Sequence, residues 1–110
     1  MRLPNAENAV VDLDKLRDYV LDPDHPRGRH KARVFASALG ITKDDAEHLR
    51  DAILAATFTS DAVATTHNGY GQRYVLDFAM DWRTKQAVVR TTWIMLDNED
   101  FPRLTSSYIR

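Results

Sequence analysis

After Ala56 the chain changes texture, and that change limits the possible folds more than any other feature. Up to that point apolar side chains recur at helical spacing. The stretch that follows, "TFTSDAVATTHNGYGQRYVLDFAMDW", replaces alanine and leucine with β-branched and aromatic residues that suit a pleated surface. Within it Tyr70, Gln72, Tyr74, Leu76, Phe78 and Met80 alternate with Gly71, Arg73, Val75, Asp77 and Ala79, so a strand here has one apolar face. Helices followed by consecutive strands argue against alternating βαβ units and for an α+β layering.

The helical half divides into three. Asp12 stands where it can cap a first helix carrying Leu13, Leu16 and Val20, which Pro23 and Pro26 end. The connector "DPDHPRG" is rich in turn residues. A second helix spans about Arg29 to Leu39 and stops at Gly40. With Phe35 at the centre of its buried face, Ala38, Leu39 and Lys31 lie nearby, Val34 and His30 fall toward the margin, and Arg33 points away. A third helix opens at "TKDD", where Thr42 can cap and Asp45 holds the capping-box position, and buries Ala46, Leu49, Ala52, Ile53 and Ala56.

Four strands are expected in the second half. The first lies around Ala62 to Thr66, and "HNGYG" turns the chain into the alternating strand described above. "DWRTKQ" is the next turn, "AVVRTTWIMLDN" reads as a central strand apolar on both sides, and "RLTSSYI", Arg103 to Ile109, closes the sheet. The expected fold is therefore α+β: three N-terminal helices followed by a four-stranded antiparallel β-meander, with the helices packed on one face. At 110 residues, one domain over 1–110 is expected.

Composition removes several function classes. Without cysteine there are no disulfides, thiolate metal sites or cysteine nucleophiles. His25, His30, His48 and His67 follow no metal-ligand spacing, so no metal and no cofactor are expected. The serines sit in no GxSxG context, and no glycine-rich phosphate cradle is present. No apolar run is long enough to span a bilayer, and "MRLPNAENAVVDLD" lacks the apolar core of a signal peptide, so a cytoplasmic protein, or a domain of a longer chain, without a membrane partner is expected. The formal net charge of -1 gives no global attraction to a polyanion.

Against that neutral background, "HPRGRHKARVF" gathers His25, Arg27, Arg29, His30, Lys31 and Arg33 at the start of the second helix. A helix N-terminus already carries partial positive charge, so cations there favour an arriving anion. One chemistry suits the groups available: metal-free cleavage of RNA, in which a 2′-hydroxyl attacks its own phosphate. It needs a base, an acid, and cations for the charge that builds on phosphorus. Lys31 and Arg103 are the candidate charge stabilisers, His25 or His30 the proton carrier, and Ser106 and Tyr108 the groups that position phosphate or base. Arg27, Arg29, Tyr70 and Gln72 are candidates for substrate binding. Each residue also has a plainer reading: Lys31 as a lysine whose stem covers apolar surface, Tyr108 as a core tyrosine with a satisfied hydroxyl, and Tyr70 and Tyr74 as strand packing.

Three segments, "LPNAENAVVDLDKLRDYVLDPDHPRGRHKARVFASALG", "YGQRYVLDF" and "WIMLDNEDFPRLTSSYI", resemble a family of small uncharacterised bacterial proteins, found alone and as C-terminal tips of polymorphic toxins and adhesin-like proteins. The shared pieces are the DHPRG-x-x-KA element around Lys31, the YGQ-x-Y strand, and Pro102, Arg103, Leu104, Ser106 and Tyr108 at the close. The element order and the closing (S/T)-x-Y strand are also similar, more distantly, to nucleases of the barnase, EndoU, colicin and RelE type. The family itself carries no assigned activity; it is the likeness to those metal-independent toxin nucleases that implies an RNA substrate and a neutralising antitoxin or immunity protein as partner. The other reading is a non-catalytic interaction module that binds an acidic partner protein through the basic helix 25–35.

Overall fold

The computed structural model describes residues 1–110. A 3-10 turn, Ala6–Asn8, leads to helix α1, Leu13–Lys15, which widens into a π-helical turn over Leu16–Val20. Helix α2 covers Arg29–Leu39. A second 3-10 turn, Lys43–Asp45, opens helix α3, Ala46–Thr59, and strands β1 (Ala62–His67), β2 (Gly71–Trp82), β3 (Lys85–Leu96) and β4 (Arg103–Ile109) follow. The strands form an antiparallel meander in the order β1-β2-β3-β4.

Local chemistry explains the boundaries. The Asp12 carboxylate accepts hydrogen bonds from the Asp14 and Lys15 amides at 3.0 and 3.3 Å, as an N-cap should. Gly40 ends α2 in the left-handed conformation with φ of 73°, where a side chain would be strained. At the mouth of α3 the Asp45 carboxylate accepts from the Thr42 amide at 3.0 Å. Helix α3 continues one turn beyond the expected Ala56, to Thr59. The middle hairpin shifts instead: β2 runs on to Trp82 and β3 begins at Lys85, so the expected turn "DWRTKQ" shrinks to Arg83 and Thr84.

One core lies between the helices and one face of the sheet. Leu16, Val20, Phe35, Leu39, Leu49 and Ile53 from the helices meet Tyr74, Leu76, Met80, Val89 and Trp93 from the strands. Trp93 is fully buried, and its indole N–H donates to Thr91 Oγ1, whose own hydroxyl donates to the Leu76 carbonyl. The Trp93 and Thr91 side-chain donors are thereby satisfied inside the core, whereas the buried Trp82 Nε1 and Ser107 Oγ have no partner.

The opposite sheet face carries no helix. Register places Asp77 beside Arg90, and Arg90 beside Tyr108, on that open face. Helix α2 lies over β3 and β4. The first part of the β4 edge is covered by the N-terminal segment: the Val10 amide donates to the Pro102 carbonyl at 2.9 Å and the Leu104 amide to Val10 at 3.0 Å. Beyond Leu104 this edge is open.

Candidate functional site

Along the open part of β4, the ladder pairs Trp93 with Leu104 but Thr92 with Ser106. Thr105 is therefore an extra residue, a β-bulge, and its hydroxyl lies 2.7 Å from that of Thr92. Past the bulge Ser107 is fully buried toward the helices, so Ser106 and Tyr108 share the other face.

Lys31 reaches this edge from α2. Its position three residues before Val34 and four before Phe35 puts it beside the buried stripe, while Arg33 is exposed on the far side. The Lys31 ammonium donates to Ser106 Oγ at 2.9 Å and sits 5.7 Å from the centre of the Tyr108 ring. An ammonium in that place gains from the ring's negative face as well as from the hydroxyl oxygen. His30, Lys31, Val34, Tyr108 and Ile109 line a cleft of about 260 Å³.

The basic stretch divides by role. Arg27, Arg29, Lys31 and Arg33 form no ion pair with any carboxylate. Arg27, Arg29 and His30 are exposed. His25 is engaged locally: its Nδ1 accepts from the Arg27 and Gly28 amides, both at 3.0 Å, and its ring lies 4.4 Å from that of Tyr19. It thus satisfies amides at the start of α2, where Gly28 has no side chain to do so. Gly28 is held close, because a Cβ there would lie 1.9 Å from the Tyr19 carbonyl oxygen.

Arg103 lies before the bulge and is committed to Glu99, through Nε at 2.8 Å and Nη2 at 2.7 Å. Its guanidinium is also stacked 4.9 Å from the Phe101 ring. The paired hydrogen bonds from Arg103 hold Glu99 below the usual carboxylate range and raise Arg103 in turn. Tyr70 and Gln72 sit on or beside β2, two strands away from β4. Tyr70 is exposed in the β1–β2 turn, and the Gln72 amide donates to the Thr66 and Arg73 carbonyls. The structure therefore brings together Lys31, Ser106, Tyr108 and His30, and leaves His25, Arg103, Tyr70 and Gln72 with other partners or other places.

Two features were not anticipated from the residues alone. Arg90 grips Asp77 through Nε and Nη2, both at 2.9 Å, and Arg110 reaches the same carboxylate at 2.9 Å. Arg90 is raised above its ordinary value, first by Asp77 and then by Tyr108 opposite it, although no formed hydrogen bond joins Arg90 to Tyr108. Counting five residues along each arm from the Trp82–Lys85 pair would have found Asp77 against Arg90. The second is His67 Nε2 at 2.9 Å from Asp97 Oδ1, a contact between the end of β1 and the β3–β4 turn that no spacing signals.

Fold and site together define a small α+β protein whose polar centre lies where a helix-borne lysine meets a free sheet edge. Residues 2–110 match the family described as a domain of unknown function, DUF6883, and the chain belongs to that family. No curated protein matches the chain, and no solved structure does. No helix is long and apolar enough to cross a membrane.

Proposed function

We propose that the chain is a metal-independent ribonuclease-like toxin or toxin-related domain. The observation that carries this reading is the Lys31 ammonium, 2.9 Å from Ser106 Oγ and beside the Tyr108 ring, at an open edge flanked by unpaired cations. In the proposed reaction a 2′-hydroxyl attacks the adjacent phosphorus and the bond to the 5′-oxygen breaks. The products are a 2′,3′-cyclic phosphate and a 5′-hydroxyl. Lys31 meets the negative charge on the phosphate oxygens, Ser106 orients them, and Tyr108 positions the neighbouring group. His30, exposed in the cleft lining, takes the proton from the 2′-hydroxyl and delivers one to the leaving oxygen. The resemblance to toxin tips supports a neutralising protein as the natural partner and RNA in the cytoplasm as the target.

A second reading has its own support. Arg27, Arg29 and Arg33 have no carboxylate partner, which also suits an interaction module that docks an acidic protein on helix 25–35. Tightly induced expression in bacteria separates the two. Growth arrest with discrete cleavage of total RNA, lost in soluble Lys31→Ala and Tyr108→Phe chains, is the expected result. Intact RNA and normal growth at high soluble expression would leave the interaction module.

A further inference from the structure

A phosphate site alone does not account for the cleft between α2 and β4. Phosphate is met by charge and N–H donors, yet Val34, Tyr108 and Ile109 supply much of this lining beside His30 and Lys31. Val34 is 45% exposed, the one large apolar side chain of α2 left in water, on a helix otherwise presenting cations there. Single exposed apolar side chains are ordinary, so Val34 counts only as part of a cleft whose lining is mostly apolar.

The edge strand adds directional groups. The Arg110 amide donates to the Val88 carbonyl at 2.9 Å, so even-numbered residues at this end of β4 bond to β3. Ladder alternation then turns the N–H and C=O of Ser107 and Ile109 to the open side. Ile109 thus offers the cleft an apolar side chain together with a free backbone donor and acceptor. A flat aromatic wall, aliphatic neighbours, an unpaired N–H and C=O, and an ammonium at the Tyr108 ring suit a planar heterocycle attached to a phosphate.

We propose that this cleft receives one nucleobase of an unpaired strand, stacked on Tyr108 with its adjacent phosphate at Lys31. The proposal rests on the ribonuclease reading and extends it to the substrate's strandedness. A base inside a duplex is stacked on both faces and paired at its edge, so it cannot enter without being unstacked.

The test uses the full chain and a fluorescent 2′-deoxy oligonucleotide, single-stranded or annealed, read by anisotropy at fixed salt. Lacking the 2′-hydroxyl, the probe cannot be cleaved by the proposed chemistry. The single strand is expected to bind at least tenfold more tightly than the duplex. Val34→Asp and Tyr108→Ala, shown to be folded by circular dichroism, should each weaken single-strand binding about tenfold or more. Equal affinity for the two probes, no binding of either at 100-fold excess, or unchanged binding by the Val34 and Tyr108→Ala variants would overturn the base slot. The two readings fail separately. Cleavage of the RNA counterpart without preference for unpaired regions sinks the slot alone; selective single-strand binding without cleavage of that RNA sinks the ribonuclease alone.

Discussion

Replacing Lys31 by methionine isolates its charge, because methionine keeps an unbranched stem over the apolar surface while removing the ammonium. Two contacts disappear: the 2.9 Å hydrogen bond to Ser106 and the approach to the Tyr108 ring at 5.7 Å. Both lie at a part-exposed edge, so the loss of stability is expected to be about 2 kcal/mol, the sum of the lower ends for a charged hydrogen bond and a cation–π contact. A domain with a typical reserve of roughly 5–15 kcal/mol stays folded under that change. Activity should respond on a different scale. If the ammonium meets charge that develops on the phosphate, kcat should fall roughly 10²–10³-fold, as it does when one such donor is removed from other enzymes. The assays are urea unfolding and cleavage of a fluorogenic oligoribonucleotide by purified protein. A fall in kcat of less than about tenfold, with folding intact, would refute the charge-stabilising role. A stability loss above about 3 kcal/mol would mark Lys31 as a structural residue, since exposed contacts do not reach that value.

Other perturbations probe the surrounding frame. Gly28→Ala forces a Cβ to within 1.9 Å of the Tyr19 carbonyl, and thermal unfolding should report a loss of about 2 kcal/mol or more as the backbone shifts. His25→Ala removes the acceptor for two amides and should cost about 1 kcal/mol in the same measurement, with His25→Asn restoring part of it. Asp77 is held below the usual carboxylate range, first by the hydrogen bonds from Arg90. Its contribution is fully present above the unfolded value of about pH 4 and is lost as pH falls through the lower folded value. Urea midpoints measured from neutral pH to pH 2 should therefore decline less steeply in Asp77→Asn than in the parent.

Legibility in the residues followed the range of the forces involved. Helix α2 could be read from Arg29 to Leu39 because its stop is a local matter of one glycine at positive φ. The apolar face of β2 could be read because Tyr74, Leu76 and Met80 alternate without interruption. Lys31 could be placed beside the buried stripe by helical spacing, and Ser106 with Tyr108 on one face of the last strand by its period of two, but not their meeting. Partnerships across the fold were not readable in this way. Glu99 claims Arg103, although its i,i+4 spacing is that of a helix, because the β3–β4 turn folds back on the strand. His25 becomes an acceptor for α2 only through the loop conformation around Pro26. The bulge at Thr105 has no signature in "RLTSSYI", and simple alternation would have grouped Leu104 with Ser106, which the ladder separates.

That extra residue has a genetic consequence. Losing the single codon for Thr105 would leave Leu104 opposite Trp93 and Ser106 opposite Thr92, a regular ladder with the same residues facing the helices. Such a chain keeps its core, yet it loses the bulge beside Ser106, which is expected to shift that hydroxyl relative to Lys31. One in-frame deletion is thus enough to disturb the Lys31–Ser106 contact while sparing the core.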